Sequence, residues 1–312
     1  MAFPLLRRPP LSRTVVDRDE ELRRDTDRLR DGWPTARILV IDEKGRAPIE
    51  PTGSGYVLAT RAATDYGAQP PDDATFLGQR DKVHHWAVRG HPSPADDDPA
   101  QWKDLRTGGG DLDDAGAGLM VTAVALLAWH DRAGFCARCG SPTRARNAGW
   151  LRRCTAGAHD EYPRTDPAII CLVHDGGRGD TARLLLARPA RLPPGRYSVL
   201  AGFVEAGESL EACVAREIGE EVGLDVHQVR YLGSQPWPMP RSLMLGFEAV
   251  ADPEQPLRPA DGEIAEAFWI SRSQLRQALA HGDWMTDTGR RLQLSPSISI
   301  ARSMMDSWAA AD

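Results

Sequence analysis

The sequence predicts a mixed α/β (α+β) protein in three parts: an α/β domain over residues 1–130, a small cysteine-bearing module over 131–165, and an α/β sandwich over 166–312. Three observations carry this division. Short β-branched and aliphatic runs alternate with helical stretches in both long parts. Cys136, Cys139 and Cys154 cluster in the turn-rich stretch between them. A chain of 312 residues with 41% hydrophobic content can fill two cores and a small module.

The elements follow in chain order. "DRDEELRRDTDRLRDG" reads as a helix or a solvated charged segment. "ARILVID" and "GSGYVLAT" read as strands joined by a turn at "EKGRAP", and "ATFLGQRD" and "KVHHWAVRG" as two more. "HPSPADDDPAQWKD" is a loop by composition. "AGAGLMVTAVALLAWHDR" is an apolar helix ending where the cysteine cluster begins. Beyond the cluster, "PAIICLVHD", "ARLLLARP", "YSVLAGFVEAGE", "VRYLGSQPWPMPRSLMLGFEAVA" and "EAFWIS" supply strands. "SRSQLRQALAHG" and "SISIARSMMDSWAA" read as two closing helices.

The net charge is −6, and the only lysines are Lys44, Lys82 and Lys103. An acidic chain gains nothing from bulk electrostatics on meeting a polyanion, so such a substrate must be held locally, by arginine or by a metal ion. No apolar run reaches the ~18 residues that span a bilayer. The N-terminus lacks the apolar core of a signal peptide. A cytoplasmic protein with no membrane contact is expected, and in that compartment an odd, clustered set of cysteines favours metal over disulfides. Cys171 and Cys213 read as core thiols. His84, His85 and His130 read as structural or surface groups.

Cys136 and Cys139 form a CxxC knuckle, and fourteen residues separate Cys139 from Cys154. Two thiolates so spaced can grip one tetrahedral Zn²⁺ from a tight turn. A complete ribbon would place a further cysteine at position 157, which here is glycine. The nearest soft ligand is His159, with Asp160 beside it. The competing reading is a ribbon that folds without metal. Four protein ligands would make the zinc structural rather than catalytic.

The helix within "GFVEAGESLEACVAREIGEEVGL" poses a different problem. Cys213, Val214, Ile218 and Val222 continue an apolar arc from Leu210, yet Glu217 and Glu221 fall within about 20° of Leu210, at its centre. Glu220 lies at its edge. Burying uncompensated carboxylates costs on the order of several kcal/mol. A hard divalent cation, Mg²⁺ or Mn²⁺, removes that cost and leaves coordination positions for water and phosphate oxygens. Ser209 is a plausible N-cap and Gly223 a helix stop. Glu208 can aim a further carboxylate at the metals, and Arg216 can orient one.

Gly202, Glu208, Arg216-Glu217-Ile218, Glu220-Glu221 and Gly223-Leu224 match the Nudix box at every constrained position. "SQPWPMPRS", beginning at Ser234, resembles the SQPWPFPxS signature of the bacterial NADH pyrophosphatases, Nudix hydrolases that carry a zinc ribbon before the Nudix domain. Met239 replaces that family's usual phenylalanine. The resemblance implies an α/β/α Nudix sandwich that hydrolyses NAD(H) to nicotinamide mononucleotide and AMP and removes NAD caps from RNA 5′ ends, as a homodimer. It implies that Glu217, Glu220, Glu221 and Glu263 hold two or three Mg²⁺ or Mn²⁺ ions, with Glu208 and Arg216 in support. It also implies that Phe203 stacks on a base, and that Gln235, Trp237, Ser242, Met244 and Ala301 line the nucleotide pocket. Acidic composition favours recognition of the RNA end over tracking along a strand. Two other readings remain open: a Nudix hydrolase of ADP-ribose or a dinucleoside polyphosphate, and a catalytically dead protein whose basic ribbon "RCGSPTRARNAGWLRR" grips nucleic acid.

Overall fold

Residues 168–173 are apolar without interruption, which suits a strand covered on both faces. The computed structural model describes residues 3–92, 98, 101–286 and 289–311. The chain divides into two compact units, one made of Met1–Pro10, Asp166–Pro236 and Ser242–Asp312, the other of Leu11–Thr165 and Trp237–Arg241.

In the second of these, α1 (Thr26–Gly32) precedes β1 (Arg37–Ile41), β2 (Ala47–Thr52), β3 (Gly55–Leu58), β4 (Arg61–Ala62), β5 (Thr75–Arg80), β6 (Val83–Arg89) and β7 (Trp102–Lys103). Then come α2 (Leu105–Gly108) and α3 (Asp114–His130). One sheet has the order β4-β1-β6-β5 and another β3-β2-β7. Trp33, Ile38, Val40, Phe76, Trp86 and Trp102 share a core. Helix α3 packs on β1, β5 and β6. It is buried from Ala115 to Val124 and again at Leu126 and Leu127, as a helix apolar on all sides must be.

Two expectations change here. The turn after β1 does not lead directly to "GSGYVLAT": β2 intervenes and pairs with it. Pro48 and Pro51 hid that strand, because proline removes a ladder donor. Of the expected loop at 91–104, residues 93–97 and 99–100 lie outside the described residues, and its end is strand β7, paired with β2. The ribbon follows as β8 (Thr143–Arg146), β9 (Leu151–Cys154) and β10 (Asp160–Glu161), in the antiparallel order β10-β9-β8.

The other unit is built on β11 (Asp166–His174), β12 (Arg183–Pro189), β13 (Arg196–Tyr197), β14 (Leu200–Phe203), α4 (Leu210–Val222), β15 (Val226–Trp237), β16 (Ser242–Ala251) and β17 (Ile264–Ser271). It closes with α5 (Arg272–His281), β18 (Asp283–Met285), β19 (Arg291–Leu294) and α6 (Ile300–Ala310). The main sheet has the order β15-β16-β11-β12-β17, with β14 also on β11. Strand β11 runs parallel to β16 and antiparallel to β12 and β14.

Alternation along these strands sets the layers. Ile169, Cys171, Val173, Leu185 and Ala187 pack with Cys213, Val214, Ile218 and Val222 of α4. Ile170, Leu172, Leu184, Leu186 and Ile270 pack on the other side with Leu275, Ala278, Met304 and Trp308 of α5 and α6. The result is an α/β/α sandwich. Phe3 joins the second core, and the Leu6 amide donates to Ser307 Oγ at 3.0 Å. Strand β15 continues to Trp237, so "SQPWPMPRS" is a loop only over 238–241. Among the described residues, no helix is long and apolar enough to cross a membrane.

Candidate active site and zinc ribbon

Helix α4 is positioned by both of its ends. Ser209 Oγ accepts from the Ala212 amide at 3.2 Å, and Gly223 stops the helix in the left-handed region at φ 73°. The buried stripe Cys213, Val214, Ile218 and Val222 holds it to the sheet. That anchoring fixes what the carboxylates face.

Glu217 turns inward, with its side chain 14% exposed. Its carboxylate lies where a side chain on Gly202 would be: a Cβ there would stand 1.8 Å from Glu217 Cδ. The first glycine of the box is therefore required for space, a tertiary fact that no local pattern discloses. Glu220 is 61% exposed. Glu221 is half-buried, and its Oε2 is buried with no hydrogen-bond partner.

Burial raises the Glu221 carboxyl to about 7, and the neighbouring charges of Glu217, Glu263 and Glu220 act in the same direction. Glu263 reaches this centre through the backbone. The Ala260 amide donates to the Glu221 carbonyl at 2.9 Å, and the Glu263 amide closes the same turn by donating to the Ala260 carbonyl at 3.2 Å. Arg191, which no sequence motif singles out, offsets part of the negative field at Glu221.

Arg216 organises the rest. It donates to Glu208 from Nε at 2.7 Å and from Nη2 at 2.9 Å, and from Nη1 to Glu217 at 2.9 Å and Glu220 at 3.0 Å. It also donates to the Phe203 carbonyl at 3.0 Å. Glu208 accepts a third bond from the Glu205 amide at 3.0 Å. The Arg216 guanidinium holds the Glu208 carboxyl down at about 2. Glu208 is thus a brace for Arg216. Three donors take three of the roughly four acceptor positions of its two oxygens in the ligand-free chain.

The donor chemistry suits a hard cation: the donors are carboxylate oxygens, the charges of Glu217, Glu263 and Glu220 all act on Glu221, and one buried Glu221 oxygen lacks any partner. Among the described residues, no three of these carboxylates bring oxygens within 4.8 Å of one another in the ligand-free chain. Of the residues expected to meet the nucleotide, Phe203 is 60% exposed and offers a free ring face. Trp237, Ser242 and Met244 are half-buried. Gln235 and Ala301 are more deeply set. Gln235 is wholly buried with Nε2 donating to the Ile298 carbonyl at 3.1 Å, and Ala301 is 1% exposed within the α6 core. The Gln235 Oε1 is buried with no hydrogen-bond partner.

In the ribbon, the ligand atoms of Cys136, Cys139, Cys154 and His159 lie within 4.8 Å of one another. Cys136 Sγ is 3.5 Å from His159 Nδ1, and Cys139 Sγ is 3.5 Å from Cys154 Sγ. Tetrahedral zinc with Zn–S bonds of about 2.3 Å needs ligand separations of about 3.8 Å, so the four donors fit. The Ser141 backbone amide holds the Cys139 thiol down to about 6, on the way to the thiolate that a metal requires. Gly157 explains the histidine: a Cβ there would come to 3.3 Å from the His159 ring, so the imidazole fills the side of the cluster where the missing cysteine would project. All five cysteines are free of disulfides. These three cysteines and one histidine form a zinc-ribbon metal-binding cluster.

Comparisons with known proteins agree with this layout. A family described as NADH pyrophosphatase-like rudimentary NUDIX domain matches residues 35–129, NADH pyrophosphatase zinc ribbon domain matches 131–162, and NUDIX domain matches 164–290. Proteins named NAD-capped RNA hydrolase NudC from Mycobacterium bovis and Mycobacterium tuberculosis are 50% and 49% identical over 313 residues, covering 99% of this chain and 97% of their own. A human protein named NAD-capped RNA hydrolase NUDT12 is 37% identical over 201 residues, 62% of this chain and 41% of that protein. Identity at that level along nearly the whole chain, with ribbon and Nudix matches in sequence, means that the protein belongs to the zinc-ribbon Nudix hydrolases of the bacterial NudC type.

Proposed function

We propose that the protein hydrolyses the pyrophosphate bond of NAD(H), yielding nicotinamide mononucleotide and AMP, and acts likewise on NAD-capped RNA 5′ ends. The observation that carries this reading is Glu221: a carboxylate with an unpartnered buried oxygen, pushed to about 7 by burial and by three other carboxylates. Such a group is tolerable at neutral pH with a cation beside it.

Glu217, Glu220, Glu221 and Glu263 would hold Mg²⁺ or Mn²⁺, two or three per site. Cations bound there neutralise the diphosphate and lower the pKa of a bound water. Arg216 and Glu208 keep the carboxylates in register. A carboxylate of the cluster accepts the proton released by the attacking water. Phe203 offers its ring to a base, and Ser242 and Met244 border the nucleotide. A zinc ion in the ribbon would be held by Cys136, Cys139, Cys154 and His159 and, with four protein ligands, would be structural.

We also propose a homodimer in the cytoplasm, as the family resemblance implies; light scattering of the purified chain tests the oligomeric state. The functional test is chromatography of products after incubating NADH, ADP-ribose and a dinucleoside polyphosphate with the protein and Mn²⁺, beside a Glu221→Gln control. NADH should give nicotinamide mononucleotide and AMP and be the best of the three. If NADH is the poorest substrate, the assignment fails.

A further inference from the structure

We infer that the zinc ribbon carries a binding surface for single-stranded RNA, the strand that follows a dinucleotide cap. The inference rests on the capped-RNA reading above. Its basis is a segregation of charge. Residues 131–165 contain seven arginines against three acidic groups, in a chain whose net charge is −6. A local cationic surface on an acidic protein directs a polyanion to one place.

The arginines divide by what they touch. Arg153 is held by both oxygens of Asp160, and Arg152 donates to Thr143 and His130. Arg144 and Arg146 are exposed and make no ion pair among the described residues. They are two apart on β8, so they share a face at a spacing of about 7 Å. Both line a groove of about 700 Å³ in which Asp72 and Asp73 also take part. Those carboxylates would repel phosphate, which confines a strand to the arginine side.

Two aromatic rings flank that strand. Phe135 is 70% exposed and Tyr162 is 68% exposed. Phe135 bridges to Pro142, immediately before β8. Tyr162 follows Glu161, which pairs with Arg152, itself paired with Ala145, so it lies toward the Arg146 end. Unpaired bases stack on such rings while arginines meet the backbone phosphates. Folding of the ribbon requires neither ring to be in water. A buried pair would be the ordinary outcome for a phenylalanine.

The test measures binding of a short 3′-labelled, 5′-phosphorylated single-stranded RNA by fluorescence anisotropy across salt concentrations, beside NADH hydrolysis. The paired variant Arg144→Glu with Arg146→Glu should weaken RNA binding at least about tenfold and make the log–log salt slope shallower by about 1.4, the value for two phosphate contacts on a single strand. Phe135→Ala with Tyr162→Ala should weaken it by about fivefold or more and leave the slope unchanged. NADH hydrolysis and zinc content should stay at parental values. RNA binding that is absent in the parent, or unchanged in both variants, overturns the inference. So does a fall in NADH hydrolysis that tracks the loss of RNA binding, since that reports a damaged fold. Cleavage of capped RNA by the parent scores the underlying reading separately.

Discussion

The two clusters of ligand atoms in this chain solve the same electrostatic problem in opposite ways. In the ribbon, three thiols and an imidazole converge on one point and leave no position open. On α4, the carboxylates of Glu217, Glu220 and Glu221 are joined by Glu263 from another turn, and one oxygen is left with no partner. The first set is soft, complete and closed to substrate. The second is hard and keeps one oxygen unpartnered, and under the proposed function a cation held there would retain water and phosphate oxygens as ligands. Four residues contribute to each cluster; what separates them is the softness of the ribbon donors and the one carboxylate oxygen left without a partner.

Changes at the open site should have the largest effects. Glu221→Gln keeps the shape and removes the charge; kcat/KM for NADH should fall by about 10³-fold. The same variant should melt no lower than the parent when Mg²⁺ and Mn²⁺ are withheld, because a desolvated charge has gone. Gly202→Ala comes next. A Cβ 1.8 Å from the Glu217 carboxyl carbon must displace it, and a shift of that order costs about 10²-fold in kcat. Steady-state kinetics on both variants checks these, and near-parental kcat in Gly202→Ala would show that Glu217 has other room.

The closed site should respond through stability. His159→Ala should lose its zinc by mass spectrometry and melt about 5–10 °C lower. Adding Gly157→Cys to that variant should restore zinc, since position 157 borders the vacated space. Arg216→Lys is milder, with about a tenfold fall in kcat, because a single ammonium cannot replace a fork that holds Glu208 with two nitrogens.

The smallest effect is on pH dependence. The folded Glu221 carboxyl, at about 7, lies above its ordinary range. Between that range and about pH 7 the folded chain keeps a proton that the unfolded chain has released. Stability without Mg²⁺ or Mn²⁺ should therefore fall as pH rises through this window and then level. Glu208, held near 2, acts in reverse: its contribution is present above the ordinary carboxylate range and is lost as pH drops toward 2. Melting curves from about pH 5 to pH 8 should show the Glu221 slope, and Mn²⁺ or Glu221→Gln should flatten it.

Much of this was legible in the residues. The helical arc alone placed Glu217 and Glu221 inward, and spacing alone proposed His159 beside the cysteine knuckle. The alternating cores of β11 and β12 follow from uninterrupted apolar runs. Contacts between segments distant in sequence were not legible. Nothing local reveals that Gly202 must be small because Glu217 rests against it, or that Glu208 spends its oxygens on Arg216. The distinctive motif singled out Gln235, but not that its Nε2 bonds the carbonyl of Ile298, sixty-three residues away. Strand β2 was hidden by two prolines that its pairing tolerates.

Phe3 and Leu6 have a consequence for how the polypeptide matures. Phe3 shares a core with Trp308 and the Leu6 amide bonds Ser307, so two segments some three hundred residues apart meet in one core. That side of the sandwich core is complete only with both segments in place. Contacts so distant in sequence raise the contact order, so this closure is expected among the slower steps of folding.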